Sequence, residues 1–130
     1  MIVVDASVLV TALADDGRGG DLARQRLAGE RLAAPELIDL EVLSAFQRAG
    51  GAGRLDERRA RLALADLAAL PLRRTSHLAL LPRVWALRDN LSAYDAAYVA
   101  LAEALSTSLV TAEARLGRAG GFQCEIEVVG

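Results

Sequence analysis

The chain has 130 residues, a formal net charge of −2 and 53% hydrophobic residues, but only 4% aromatic residues. These values predict one domain over residues 1–130, with a core built from Ala, Leu and Val. No apolar run has the ~18 residues that a membrane span needs, and no signal-peptide pattern is present, so we expect a cytoplasmic protein without a membrane partner. The single cysteine, Cys124, excludes an internal disulfide. All fifteen basic residues are arginines, and the acidic balance means that nucleic-acid binding would need a local arginine patch.

The first informative stretch is a strand followed by a carboxylate. Ile2–Val4 is a β-branched run without polar alternation, which predicts a buried parallel strand. Asp5 follows directly, and Val8–Ala14 has a helical pattern with Ser7 as its N-cap. Ligands bind outside the carboxyl ends of strands in open α/β sheets, so Asp5 is a candidate metal ligand. The alternative is an ordinary turn residue or a second N-cap.

The second informative stretch is a helix with a misplaced charge. Leu22–Leu27 and Leu32–Ala34 predict a short helix and a second strand, and Glu36–Arg48 predicts the next helix. Glu41 lies on the apolar side of this helix, away from the other acidic residues. An unpaired charge on a packed face is costly, so Glu41 needs a metal or a partner. A buried pair with Arg48 is the alternative.

The third stretch begins a buried helix. Ala93–Leu105 is almost wholly apolar, which is typical of a helix that is buried on all sides. Ser92 and Asp95 have the spacing of a capping box, which explains Asp95 by local structure alone. A helix N-terminus also favours negative charge. Capping uses the backbone and metal binding uses side-chain oxygens, so Asp95 can do both.

A fourth acidic residue follows a later strand. Ser108–Thr111 predicts a strand, and Glu113 then repeats the position that Asp5 has after the first strand. We expect the two strands to be adjacent, so that both carboxylates open onto one crevice. The order of predicted elements indicates an α/β sandwich with a mainly parallel sheet. The remaining predicted elements are the helices Asp56–Leu70 and Leu80–Arg88 and the strands Leu72–Thr75 and Cys124–Val129.

The acidic residues indicate a kind of chemistry. Mg²⁺ and Mn²⁺ take carboxylate oxygens as ligands, and a cation removes the repulsion between clustered carboxylates. Such an ion activates water and stabilises charge on a phosphodiester undergoing hydrolysis. No nucleophile–histidine pair, G-x-G-x-x-G or P-loop competes with this interpretation. The four candidate catalytic residues are Asp5, Glu41, Asp95 and Glu113.

Four segments, in order along nearly the whole chain, resemble the PIN-domain ribonucleases, most closely the VapC toxins of bacterial toxin–antitoxin pairs. The resemblance implies a PIN-like three-layer α/β/α sandwich with strand order 3-2-1-4-5. It also implies a Mg²⁺- or Mn²⁺-dependent RNA endonuclease, a homodimer, and a VapB-type antitoxin whose tail blocks the site. The segments are Ile2–Val10, Ala34–Ala45, Leu91–Glu103 and Leu109–Leu116.

The resemblance also assigns residues. The metal ligands of the family fall on Asp5, Glu41 and Asp95, and Glu113 stands where the family usually has aspartate. Two positions where the family often has a hydroxyl near the metal match Ser7 and Thr111. Apart from the resemblance, Arg83, Arg88 and Arg115 are candidates for contact with RNA, because arginine binds phosphate. The alternatives are a non-catalytic PIN-like module that binds RNA or protein, and a structure-specific DNA nuclease.

Overall fold

The computed structural model describes all 130 residues and contains five strands, seven α-helices and one 3₁₀ turn. The strands are β1 (Ile2–Val4), β2 (Leu32–Pro35), β3 (Leu72–Thr75), β4 (Leu109–Thr111) and β5 (Ile126–Val128). The helices are α1 (Ala6–Ala14), α2 (Arg18–Leu27), α3 (Ile38–Gly51), α4 (Glu57–Ala69), α5 (Leu81–Ala86), α6 (Ala93–Ala104) and α7 (Ala114–Arg118), with the 3₁₀ turn at Leu78–Leu80. None of the helices combines the length and the apolar character that crossing a membrane requires.

The five strands form one parallel sheet in the order β3-β2-β1-β4-β5, which confirms the predicted order. The chain moves one way across the sheet from β1 to β3 and the other way from β4 to β5. Right-handed crossovers therefore place α1–α4 on one face and α5–α7 on the other. The strand order reverses between β1 and β4, and α/β sheets bind ligands at such a switch point.

The core lies on both faces of the central strands, against α6 on one side and against α1–α4 on the other. Every residue of β1 and β4 is buried, as the unbroken apolar run of β1 predicts. Helix α6 packs on β1, β2 and β4, and its residues 96–102 are all buried. The prediction that this apolar helix is surrounded by protein is therefore confirmed, and it fixes the position of the first turn of α6 beside the switch point.

Several element boundaries differ from the sequence predictions, and three of these differences lie in α1, α2 and α3. Helix α1 begins at Ala6, so Ser7 is a helical residue and Asp5 has the N-cap position. Helix α2 begins at Arg18, earlier than predicted. Helix α3 continues to Gly51, because the residue that ends it is Gly53, whose φ of 75° is the left-handed conformation common just beyond a helix C-terminus.

Candidate active site

Asp5 lies at the end of β1 and is 5% exposed. It has the N-cap position of α1, but its side chain makes no capping hydrogen bond. Instead, its Oδ2 accepts hydrogen bonds from Ser7 Oγ at 2.9 Å and from Thr111 Oγ1 at 2.7 Å. The carboxylate is therefore held across the β1–β4 boundary, and capping does not account for its orientation.

The two hydroxyl groups are themselves fixed by the backbone. Ser7 Oγ accepts a hydrogen bond from the Ala112 amide at 3.0 Å, and Thr111 Oγ1 accepts one from the Glu113 amide at 3.1 Å. Because each hydroxyl accepts from an amide, its own hydrogen is free to point at Asp5. The prediction of Ser7 as an N-cap was wrong, and its position in the first turn of α1 makes it a support for Asp5.

Glu41 reaches the same end of the sheet from α3. Its Oε1 accepts a hydrogen bond from the hydroxyl of Tyr98 on α6 at 2.5 Å. The alternative pair with Arg48 is not formed, since Arg48 donates to Ser44 Oγ at 2.9 Å. Sequence reasoning missed Tyr98. The available signal was a tyrosine on an otherwise apolar buried helix, because a buried phenol needs a hydrogen-bond partner.

Asp95 and Glu113 share an arginine. The Asp95 amide donates to Ser92 Oγ at 3.2 Å, which confirms the predicted cap and leaves the carboxylate available. Arg115 Nη2 lies 2.9 Å from Asp95 Oδ2 and 2.5 Å from Glu113 Oε2. Glu113 Oε2 is buried, and this guanidinium contact lacks the alignment of a hydrogen bond. The oxygen is therefore paired by charge with Arg115 but is not fully satisfied by it.

The charges of neighbouring carboxylates influence the pKa values of Asp5 and Glu41. Burial raises the pKa of Asp5, and the charge of Asp95 raises it further. Burial is also the main cause of the raised pKa of Glu41, to which the charges of Asp5, Asp95 and Glu113 add. Mutual repulsion of this kind requires that the groups be near one another. The four acidic residues therefore influence one another electrostatically, and their convergence on one ion stays a prediction.

Adjacency of the two strands is confirmed, but the levels of their acidic residues are not equivalent. Val4 pairs with Val110, so Thr111 lies level with Asp5, and Glu113 lies two residues further along the chain. Glu113 instead has the N-cap position of α7, without a side-chain capping bond. Glu113 therefore does not follow β4 directly as Asp5 follows β1, and its longer side chain starts from a different position.

The donor set fits a hard divalent cation. It consists of carboxylates and hydroxyls, and a cation would relieve the burial and repulsion that raise the pKa values of Asp5 and Glu41. As the side chains stand, no three acidic, histidine or cysteine residues have the spacing to hold an ion together. Mg²⁺ keeps several of its waters and needs only one or two direct carboxylates. The arrangement therefore suits a hydrated ion better than a dehydrated one.

The three predicted RNA-binding arginines have different surroundings. Arg83 binds Glu103 through Nε at 2.7 Å and Nη2 at 3.0 Å, and it also donates to the Gly121 carbonyl. The Arg88 guanidinium lies 4.4 Å from the centre of the Trp85 ring. Of the three arginines, Arg115 alone pairs with candidate site carboxylates. RNA contact by any of them stays a prediction.

Comparison with known proteins gives a consistent result. The PIN domain family model matches residues 2–121. Ribonuclease VapC9 of Mycobacterium tuberculosis is 48% identical over 129 residues, covering 99% of this chain and 98% of the relative.

Solved structures are similar as well. The crystal structure of Mycobacterium tuberculosis VapC20, described as a sarcin-ricin loop cleaving toxin, matches with a TM-score of 0.66 and 17% identity, over 84% of this chain and 87% of that one. VapBC2 of Rickettsia felis, solved bound to a DNA fragment from its promoter, matches with a TM-score of 0.66 and 16% identity over 100% of both chains. At these identities the structures show a common fold.

Proposed function

The chain belongs to the PIN-domain family, and we propose that it is a Mg²⁺- or Mn²⁺-dependent RNA endonuclease, the toxin of a VapBC-type pair. The observation that carries the proposal is the electrostatic coupling of Asp5, Glu41, Asp95 and Glu113 around the β1–β4 switch point. Full-length similarity to a VapC ribonuclease supports it. The reaction is hydrolysis of a phosphodiester bond.

Asp5, Glu41 and Asp95 are the residues that would hold the ion, directly or through water, with Glu113 as a further catalytic carboxylate. A bound divalent ion supplies an activated water molecule and shields the negative charge that develops on the phosphate. The carboxylates bring negative charge to a place where burial makes it costly. That cost is recovered when the ion binds, because the ion stabilises the charged form of each ligand.

The supporting residues keep the ligands in place before the ion arrives. Ser7 and Thr111 fix one oxygen of Asp5, and Tyr98 fixes one oxygen of Glu41. Such preorganisation matters because small displacements of a catalytic group reduce the rate strongly. The Ser92 cap sets the first turn of α6 and with it the backbone of Asp95.

RNA is the proposed substrate, with Arg83, Arg88 and Arg115 as candidates for contact with its phosphates. Guanidinium groups bind phosphate in a bidentate manner. Action on cellular RNA would place the protein in the cytoplasm.

Two protein partners belong to the proposal. The first is a VapB-type antitoxin, which is supported by the similarity to VapBC2. The second is another copy of this chain, as the resemblance implies. Leu81, Trp85 and Tyr94 are large exposed apolar side chains on α5 and the start of α6, which is the kind of surface that dimers bury. Analytical ultracentrifugation of wild type and Trp85→Glu would test the dimer.

Cleavage assays on RNA and on single- and double-stranded DNA test the function directly. We expect Mn²⁺-dependent cleavage of RNA, no cleavage in EDTA, and a loss of about 100-fold or more in Asp5→Asn and Asp95→Asn. Cleavage of DNA in preference to RNA would support the structure-specific DNA nuclease instead. RNA binding without cleavage by wild type, at any Mn²⁺ concentration, would support the non-catalytic module.

A further inference from the structure

Arg115 forms ion pairs with two of the candidate site carboxylates. It lies on α7, and its Nη2 bridges Asp95 on α6 and Glu113 in the turn after β4. The side chain of Asp95 is only 14% exposed, whereas that of Arg115 is 58% exposed. A guanidinium that is more than half exposed thus contacts two carboxylates that the proposed function assigns to metal binding and catalysis.

The bridge made by Arg115 is incomplete when it is compared with another ion pair of the chain. Arg83 binds Glu103 through two nitrogens, and Glu103 accepts a further hydrogen bond from the Gln123 amide at 2.6 Å. Arg115 Nη2 lies 2.9 Å from Asp95 Oδ2 and 2.5 Å from Glu113 Oε2, but the contact with Glu113 Oε2 lacks the alignment of a hydrogen bond. A bidentate pair is the stronger arrangement. The bridge therefore has the character of a replaceable contact, and the Arg83 pair that of a permanent one.

We propose that Arg115 is an internal counter-ion that competes with the divalent metal for Asp95 and Glu113, and that it turns to the RNA phosphate when the metal displaces it. This inference rests on the proposed function and deepens it. It also accounts for the distance between Asp95 and Glu113 in the unliganded protein, because both carboxylates are paired with Arg115 and not with an ion.

The exchange follows from charge and geometry. A divalent ion carries twice the charge of a guanidinium and binds carboxylate oxygens more closely. The guanidinium is planar and always charged, and it binds phosphate as well as it binds carboxylate. Once released, Arg115 stands beside the acidic residues with its charge intact. The Arg115 guanidinium is then available to donate hydrogen bonds to an RNA phosphate.

Isothermal titration of the full chain with MnCl₂, without RNA, tests the competition. We expect Arg115→Gln to bind Mn²⁺ about tenfold more tightly than wild type, which corresponds to the loss of one charge-assisted contact. Arg118→Gln is the matched control, because Arg118 lies on the same helix and forms no ion pair, and it should bind as wild type does. Equal or weaker binding by Arg115→Gln would overturn the competition.

Cleavage of RNA at saturating Mn²⁺ gives the second readout. If Arg115 receives the phosphate, Arg115→Gln should cleave severalfold more slowly although it binds the ion more tightly. If Arg115 had only a structural role, Arg115→Gln would bind Mn²⁺ more weakly and would also cleave RNA more slowly. Arg115→Lys retains the charge, so it is the variant to measure if Arg115→Gln does not fold. Its Mn²⁺ affinity should lie between those of wild type and Arg115→Gln. Failure of wild type to cleave RNA would contradict the proposed function while leaving the titration result intact.

Discussion

The hydroxyl of Tyr98 on α6 donates to Glu41 Oε1 on α3 at 2.5 Å, and these residues are 57 positions apart in sequence. The bond connects helices that the crossovers place on opposite faces of the sheet. Tyr98 is 1% exposed, and burial together with the bond to Glu41 raises the pKa of its phenol, so it stays protonated as a donor. Glu41 therefore has a fixed orientation toward the other carboxylates.

Tyr98→Phe should weaken the metal site with little effect on the fold. Removal of one hydrogen bond costs about 0.5–1.5 kcal/mol of stability. The pKa of Glu41 should rise further, because the Tyr98 hydrogen bond is what opposes the effect of burial. We expect the Mn²⁺ concentration for half-maximal cleavage to increase severalfold, and the increase to shrink at higher pH. Tyr94→Phe is the control, because Tyr94 is 64% exposed one turn earlier on α6. Equal effects of the two changes would contradict the role given to Tyr98.

Asp5→Asn should separate stability from function. Burial and the charge of Asp95 raise the pKa of Asp5, so the unliganded protein loses stability as the pH rises through that pKa. Near pH 7 in EDTA, the neutral variant should melt a few degrees above wild type. In millimolar Mn²⁺ only wild type should gain stability, because ion binding stabilises the native state. Melting curves in the two conditions provide the measurement, and an Mn²⁺-induced rise in the variant equal to that of wild type would contradict the role of Asp5 as a ligand.

The sequence was sufficient for the order of elements, because that order follows from local patterns. Buried strands, the capping of Asp95 and the apolar α6 are each encoded within a few neighbouring residues. The partners of the carboxylates were not predictable in this way. Tyr98 meets Glu41, and Arg115 bridges to Asp95, only because the sheet topology brings distant segments together. Strand register likewise set Thr111, and not Glu113, level with Asp5.

The length of the Glu113 side chain provides a test of its role in cleavage. Its carboxylate contacts Arg115 and influences the pKa of Glu41, so it belongs to the same space as the other acidic residues. If it reaches the ion through water, Glu113→Gln should slow cleavage, and Glu113→Asp should preserve or improve it. If it only favours the N-terminus of α7, both changes should be mild, since that interaction is worth about 0.3–1 kcal/mol.

Cleavage rates against Mn²⁺ concentration for wild type, Glu113→Gln and Glu113→Asp distinguish these roles. We expect the Glu113→Gln curve to lie below the other two at every concentration. Three superimposable curves would mean that Asp5, Glu41 and Asp95 suffice. The three proteins should also be compared in EDTA, where similar melting temperatures would show that a change in rate reflects the site and not the fold.

The Arg83–Glu103 pair should control acid stability far from the carboxylates of the site. The Glu103 side chain is 8% exposed, and the hydrogen bonds from Arg83, followed by that from the Gln123 amide, lower its pKa below the ordinary 4.5. A lowered pKa means that the stabilisation is complete above the unfolded value and is lost as the pH falls through the folded value. Wild type should therefore lose this contribution only below about pH 4.5.

Glu103→Gln removes the charge and should destabilise the protein at pH 7 by about 2 kcal/mol, the value typical of a hydrogen bond to a charged group. Its stability should then change less than that of wild type between pH 5 and pH 3. Glu57→Gln is the control, because the Glu57–Arg61 pair is 82% and 74% exposed and such pairs contribute little. Urea unfolding at several pH values measures all three proteins. Parallel pH profiles for wild type and Glu103→Gln would show that this carboxylate is not the group that titrates, and the acid sensitivity would then have to be sought at Glu127, whose pKa is lowered by Arg26.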